Sequence, residues 1–250
     1  MTDTAAPQPA TVVDAAAYQR AEAAAGSHSS LLNKLRAAVL GANDGIVSIA
    51  GMVMGVAGAT TDSLAILIAG IAGLTAGALS MAVGEYVSVS AQRDSERALI
   101  AKEVWELENM PDAELAELAG LYEAKGLTPE LALEVATQLH AHDALAAHAE
   151  TELGIDPEEL VNPWAAAWAS MAAFTVGALV PLLAMVLSPA TLRVPATAVA
   201  VVLALSLTGY FSAKVGKAKP TKAIVRVILG GLLAMGITYG IGALVGTQIG

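Results

Sequence analysis

Of 250 residues, 56% are hydrophobic and only 14% are charged, with a mean hydropathy of +0.62. Ordinary soluble domains carry about 25% charged residues, so the composition excludes a soluble globular chain and indicates a membrane protein. A net charge of −10 speaks against nucleic acid as a partner, and the absence of cysteine excludes disulfides, thiolate metal sites and thiol catalysis.

In chain order, residues 1–30 form a polar, Ala-rich arm with no basic segment leading into an apolar core. No cleavable secretory signal is read there, and the arm is expected to be disordered. Five stretches then lack charge or nearly so: 37–60, 63–91, 163–192, 194–213 and 227–250. About 20 helical residues cross a hydrocarbon core of about 30 Å, and every stretch is long enough. Ala, Gly, Leu and Val dominate without period-2 alternation, which predicts helices rather than barrel strands. The expected fold is all-α integral membrane, with helices 1 and 2 in 31–91, an inserted helical domain in 92–160 and helices 3 to 5 in 161–250.

The first two spans carry two buried acids. Asp44 lies in Gly41-Ala42-Asn43-Asp44-Gly45 and Glu85 follows Met81-Ala82-Val83-Gly84. A charge near the bilayer centre costs about 2.5–3.5 kcal/mol on insertion scales, and such residues usually mark ion or proton pathways. The plainer reading is a structural carboxyl hydrogen-bonded to Asn43, Ser48 or Ser80. Met81 stands one turn before Glu85 on the same face, and thioether with carboxylate suits Fe²⁺ better than Ca²⁺ or Mg²⁺.

No proline interrupts 63–109, so the second helix should run about 70 Å, well past the membrane. Pro111 ends it. A short helix over about 112–125 closes at Gly126, and Thr128-Pro129-Glu130 reads as the start of a third helix ending at Gly154. Residues 92–160 hold 17 acidic and four basic side chains, a net of −13 that attracts cations. Within this insert, Glu103 and Glu106 share one helical face, as do Glu114 and Glu117. Two such pairs on helices joined by a tight turn can offer several oxygen ligands to a divalent cation. His148 and Glu152, four apart on the third helix, add an imidazole and another carboxylate. The plainer readings are a solvated acidic face and a packing histidine.

Trp164 and Trp168 stand where the third span begins, as interfacial anchors should. Pro181 and Pro195 are candidate kinks. Gly73-x3-Gly77, Gly236-x3-Gly240 and Gly242-x3-Gly246 offer small faces for close packing or dimerisation. Of 13 Lys and Arg, 12 fall in the arm (Arg20, Lys34, Arg36), the insert (Arg93, Arg97, Lys102, Lys125) and the loop before the last span (Lys214, Lys217, Lys219, Lys222, Arg226); only Arg193 lies elsewhere. Five spans put those three regions on one side, which the positive-inside rule makes the cytosol, leaving the C-terminus outside. The Ala/Gly-rich composition leans towards a bacterial plasma membrane rather than a vacuolar one.

Enzyme signatures are thin. Gly73-Leu74-Thr75-Ala76-Gly77 matches a nucleophile elbow only in spelling, with no strand before it. No Glu-x-x-His occurs, against a ferritin-type di-iron site, and no Gly-rich phosphate loop with Lys is present. An enzyme and a permanently bound cofactor are not expected.

The runs Gly41-Ala42-Asn43-Asp44-Gly45-Ile46-Val47-Ser48 and Leu79-Ser80-Met81-Ala82-Val83-Gly84-Glu85-Tyr86-Val87-Ser88-Val89, with Glu103-x2-Glu106-x7-Glu114-x2-Glu117, resemble the vacuolar iron transporter family, which includes nodulin-21-like proteins and many bacterial members. The resemblance covers about residues 31–250. It implies a homodimer with five transmembrane helices, a cytosolic metal-binding domain between helices 2 and 3, and export of Fe²⁺, often also Mn²⁺, from the cytosol in exchange for protons. By resemblance, Asp44 and Met81, with Glu85 beside them and Asn43 adjoining, match membrane pathway residues. Glu103, Glu106, Glu114, Glu117 and Glu152 match cytosolic ligands. Plant members carry two adjacent methionines where this chain has His148 and Ala149, so imidazole replaces one soft ligand and the other is lost. The expected function is an Fe²⁺ or Mn²⁺ transporter; the alternative is a membrane-anchored metal sensor or buffer that does not conduct.

Overall fold

The computed structural model describes residues 15–158 and 160–249, with side chains described for 37–158 and 160–247. Among them are seven α-helices and no strand: α1 (Ala15–Ala59), α2 (Ser63–Asn109), α3 (Pro111–Ala124), α4 (Pro129–His148), α5 (Pro163–Leu187), α6 (Arg193–Val215) and α7 (Pro220–Ile249). A five-residue π-helical turn, Ala149–Leu153, follows α4. Five helices are long and apolar enough to cross a membrane: α2, α5, α6 and most of α1 and α7. Their outward side chains include Leu64, Leu203 and Leu244, which are 61%, 66% and 72% exposed. Water would not tolerate so many bare leucines, whereas lipid does. The chain is a multi-pass integral membrane protein.

Several boundaries differ from the sequence expectation. The backbone is already helical from Ala15, so part of the arm expected to be disordered belongs to α1; its alanines are strong helix formers. Residues 1–14 of that arm lie outside the described residues. Helix α5 stops at Leu187 rather than 192 because Ser188 precedes Pro189, which disfavours helical backbone. Helix α7 starts early, at Pro220, so Lys222 and Arg226 lie on its first turns rather than in a loop. Pro195 sits in the first turn of α6, where its missing N–H has no intrahelical acceptor to lose, so it is not a kink.

The described residues divide into two compact units, 15–75 with 173–249, and 76–172. In the first, glycines let backbones touch. A Cβ at Gly45 would overlap the Phe174 carbonyl oxygen, one at Gly177 the Ala42 carbonyl oxygen, and one at Gly242 the Gly55 carbonyl oxygen. Helix α1 is thereby clasped by α5 on one side and α7 on the other. Such backbone proximity, rather than the hydrophobic effect, holds helices together in lipid. Of the glycine pairs in α7, Gly242 and Gly246 are spent on α1, while Gly236 and Gly240 have open space beside them. Fully buried Ile49, Val53, Val201, Leu205 and Met185 fill the core.

Arg193 is the one base outside the three clusters, and it is buried. It donates through Nη2 to Ser63 Oγ at 2.9 Å and through Nη1 to the Thr61 carbonyl at 3.4 Å. The start of α6 is thus tied to the α1–α2 turn, where Asp62 Oδ1 accepts from Leu64 N at 2.9 Å and caps α2.

In the second unit, α3 packs on α4 and on the π-helical turn. Leu118, Ala119 and Ala136 are buried together, with Leu115, Tyr122 and Ala147 packed around them. Thr128 caps α4 as expected, accepting from Leu131 N. Gly126 and Gly154 adopt left-handed backbone, φ +103° and +64°, which glycine alone reaches without strain. The continuous third helix expected from the sequence is instead broken. Asp143 leaves helical geometry (φ −157°, ψ 96°), and its Oδ1 accepts from Ala146 N at 2.9 Å. Asp143 is therefore an internal N-cap that restarts the helix five residues before His148.

Candidate metal centre

Three side chains converge within the second unit: Glu103 from α2, Glu114 from the first turn of α3 and His148 from the last turn of α4. They are 2%, 4% and 0% exposed. Charged side chains are rarely so buried unless paired or ligating. One ligand atom from each lies within 4.8 Å of the others. His148 Nδ1 is 2.9 Å from Glu103 Oε1, 3.7 Å from Glu114 Oε2 and 3.8 Å from Glu152 Oε2.

The two longer approaches exceed hydrogen-bond distance, and the 2.9 Å one lacks the angle of a hydrogen bond. Both nitrogens of His148 and Oε1 of Glu103 are buried without a hydrogen-bond partner. An unmatched buried polar atom costs about 1–3 kcal/mol, so three in one place is an expensive arrangement for a structural cluster. A cation among them would satisfy Glu103 Oε1 and His148 Nδ1, the ring nitrogen that faces the carboxylates. Two carboxylates and an imidazole form a mixed oxygen and nitrogen donor set, suited to Mn²⁺, Fe²⁺ or Zn²⁺ more than to Ca²⁺.

Electrostatics point the same way. Burial, then the negative charges of Glu117, Glu106 and Glu152, pushes the Glu114 carboxyl above its ordinary value, with Lys102 opposing. Burial, then His140, pushes the His148 imidazolium pKa down, while Glu152 and Glu117 oppose. The imidazole is thus biased to the neutral form a metal requires. His140 lies 5.9 Å from His148, ring centroid to centroid, and edge-on.

The expected ligands part company here. Glu103, Glu114 and His148 are brought together, and exposed Glu152 lies at the rim. Glu106 is held instead by Lys102, one turn earlier, at 2.6 Å. Glu117 is exposed and acts on the cluster through its charge. Sequence reasoning missed the break at Asp143 and the π-helical turn, which set the phase of His148 and Glu152; π-turns recur at functional sites.

The expected membrane residues fall in both units. In the first unit, half-buried Asp44 accepts a hydrogen bond from Ser48 Oγ at 3.1 Å, and Asn43 Oδ1 accepts from Thr208 Oγ1 of α6 at 3.5 Å. Met81 and Glu85, both half-buried, belong to the second unit on α2. Arg193 is the membrane-region residue that sequence reasoning passed over; its isolation from every other base was the available signal.

Residues 35–243 match the VIT family. The chain is similar to the "Vacuolar iron transporter" of Acanthamoeba castellanii, 47% identical over 212 residues, covering 84% of this chain and 78% of that protein. It is 38% identical over 214 residues to "Vacuolar iron transporter homolog 2.1" of Arabidopsis thaliana, covering 85% and 82%. With "VIT-like transporter 1b" of Glycine max it shares 37% identity over 215 residues, covering 86% and 77%.

Proposed function

The chain belongs to the VIT family, and from that premise we propose that it is a divalent-metal transporter carrying Fe²⁺, Mn²⁺ or both out of the cytosol in exchange for protons. The observation that carries the metal half of this reading is the buried Glu103, Glu114 and His148 cluster with its unmatched donor atoms. The names of the relatives support iron as a cargo.

The segment between the second and third spans would face the cytosol, following the distribution of Lys and Arg. Its exposed acids, Glu117 and Glu152 among them, would draw cations in, and Glu106 would join them when released by Lys102. Glu103, Glu114 and His148 would strip part of the ion's water and hold it. Asp44 with Asn43 in the first unit, and Met81 with Glu85 in the second, would each serve the ion's passage, the carboxylates supplying charge and the thioether favouring Fe²⁺. A proton arriving from the far side removes a carboxylate's charge and with it most of its affinity, so metal leaves as the proton binds. The chain would work as a homodimer, Gly236 and Gly240 leaving a small face of α7 open for a second copy.

Purified chain in sealed liposomes, with metal outside and an imposed proton gradient, tests the proposal. Saturable uptake of Mn²⁺ or Fe²⁺ that stops when the gradient is collapsed is the expected result. Metal binding without any flux would recast the chain as a membrane-anchored buffer.

A further inference from the structure

A second polar site lies in the second unit, away from the carboxylates. Arg93, Arg97, Pro157, Glu158, Val161 and Trp164 line a groove of about 450 Å³. Among the described residues neither arginine has an ion-pair partner, and Arg93 Nε is buried without a hydrogen-bond partner. Unpaired guanidinium groups beside a concave surface are suited to bidentate capture of phosphate or carboxylate.

Position narrows the choice. Arg93 is two residues past the apolar stretch 63–91 of α2, whose one charged residue is Glu85, and Trp164 is the second residue of α5, so both mark where apolar chain gives way to polar chain. Trp164 is 62% exposed and rests against Tyr86, ring centroids 4.7 Å apart. Such aromatic pairs sit at the headgroup level of a bilayer. Asn162 Oδ1 accepts from Trp164 N at 3.1 Å and caps α5, whose positive dipole end therefore also opens on the groove. Among the described lining residues Glu158 is the one carboxylate, and it offsets part of this charge.

We propose that this groove binds the headgroup phosphate of an anionic phospholipid of the cytosolic leaflet. The surrounding insert is strongly acidic and repels such lipids, so two arginines at its foot would fix where the acidic helices stand above the membrane.

Native mass spectrometry of the full chain in non-ionic detergent, titrated with phosphatidylglycerol, tests this. Retention of one high-affinity lipid is expected. The Arg93→Gln/Arg97→Gln double variant should weaken it roughly thirtyfold, at about fivefold for each basic residue near the surface. Lys222→Gln on α7 serves as a control and should leave it unchanged. Arg97 is exposed, so Arg97→Lys should keep the fold and most of the affinity, while Arg97→Gln alone should lose about fivefold. Equal lipid retention by wild type and the double variant overturns the proposal. So does inorganic phosphate binding as tightly as the lipid, which would assign the groove to a soluble anion.

Discussion

Two carboxylate environments in this chain differ in how they are satisfied. Asp44, inside the first span, is half-buried and takes a hydrogen bond from Ser48 one turn on. Glu103 and Glu114 are buried, and the imidazole beside them has neither nitrogen matched. A locally bonded carboxylate can rest without an ion and release one easily. A cluster of unmatched donors cannot rest, and its stability depends on what it binds. The contrast suits a route in which one site captures and another passes on.

The largest test of that contrast is Asp44→Ala. Flux should fall to the level of protein-free liposomes while metal still binds the purified full chain, as read by proteoliposome uptake and calorimetry on the same preparation. Unchanged flux would leave Asp44 a structural carboxyl, as its bond to Ser48 alone would suggest.

Next in size is His148→Ala, which should weaken metal binding by at least roughly 10- to 100-fold, since losing even an outer partner that orients a ligand costs that much. Calorimetry with Mn²⁺ on the full chain checks it. An unaltered affinity would mean the imidazole is only packing.

A smaller, graded effect should come from pH. Burial, then the charges of Glu152, Glu114, Glu106 and Glu117, pushes the Glu103 carboxyl up to about 7, and Glu114 is raised as well, so protons compete with metal as pH falls from neutral; lowering pH from about 7.5 to about 5.5 should reduce affinity, by at most about tenfold per unit for each proton displaced. In the metal-free chain the signs oppose one another. Because the folded pKa of Glu114 is raised, its contribution favours folding at low pH and is lost as pH rises. Because the folded pKa of His148 is lowered, neutral burial is penalised as pH falls and the unfolded imidazole takes up its proton. Thermal unfolding with and without Mn²⁺ should show the metal stabilising most at the alkaline end.

Smallest is Asp143→Ala, which removes the internal cap and should cost about 1 kcal/mol of stability. Metal affinity should drop only a few-fold, because the helix restart is loosened rather than a ligand removed. A chemical denaturation midpoint reads the first effect and calorimetry the second.

Much of the architecture could be read directly because lipid enforces a simple rule: no charge, and all backbone bonds internal. That is why the five spans emerge from residue order alone; the caps at Thr128, Gly126 and Gly154 do so for a local reason, a hydroxyl that accepts at a helix start and glycines that reach left-handed backbone. The site was half legible. Carboxylate spacing pointed to Glu103 and Glu114, but spacing treats Glu106 and Glu117 alike. Only packing reveals that Lys102 holds Glu106 and that Glu117 stays in solvent. Asp143 could have been suspected as a cap, since Asp favours helix starts, yet flanking helix formers masked the break. The burial of Arg193 depends on the distant α1–α2 turn, which no local pattern encodes.

The clasp of Gly242 and Gly246 on Gly55 and Ala59 joins the earliest membrane segment to the last. During synthesis the ribosome must pass Gly246 before α7 can reach its seat. Until then α1 stands in the bilayer with a bare groove along one flank. Closure of this side of the bundle is therefore a late step of synthesis.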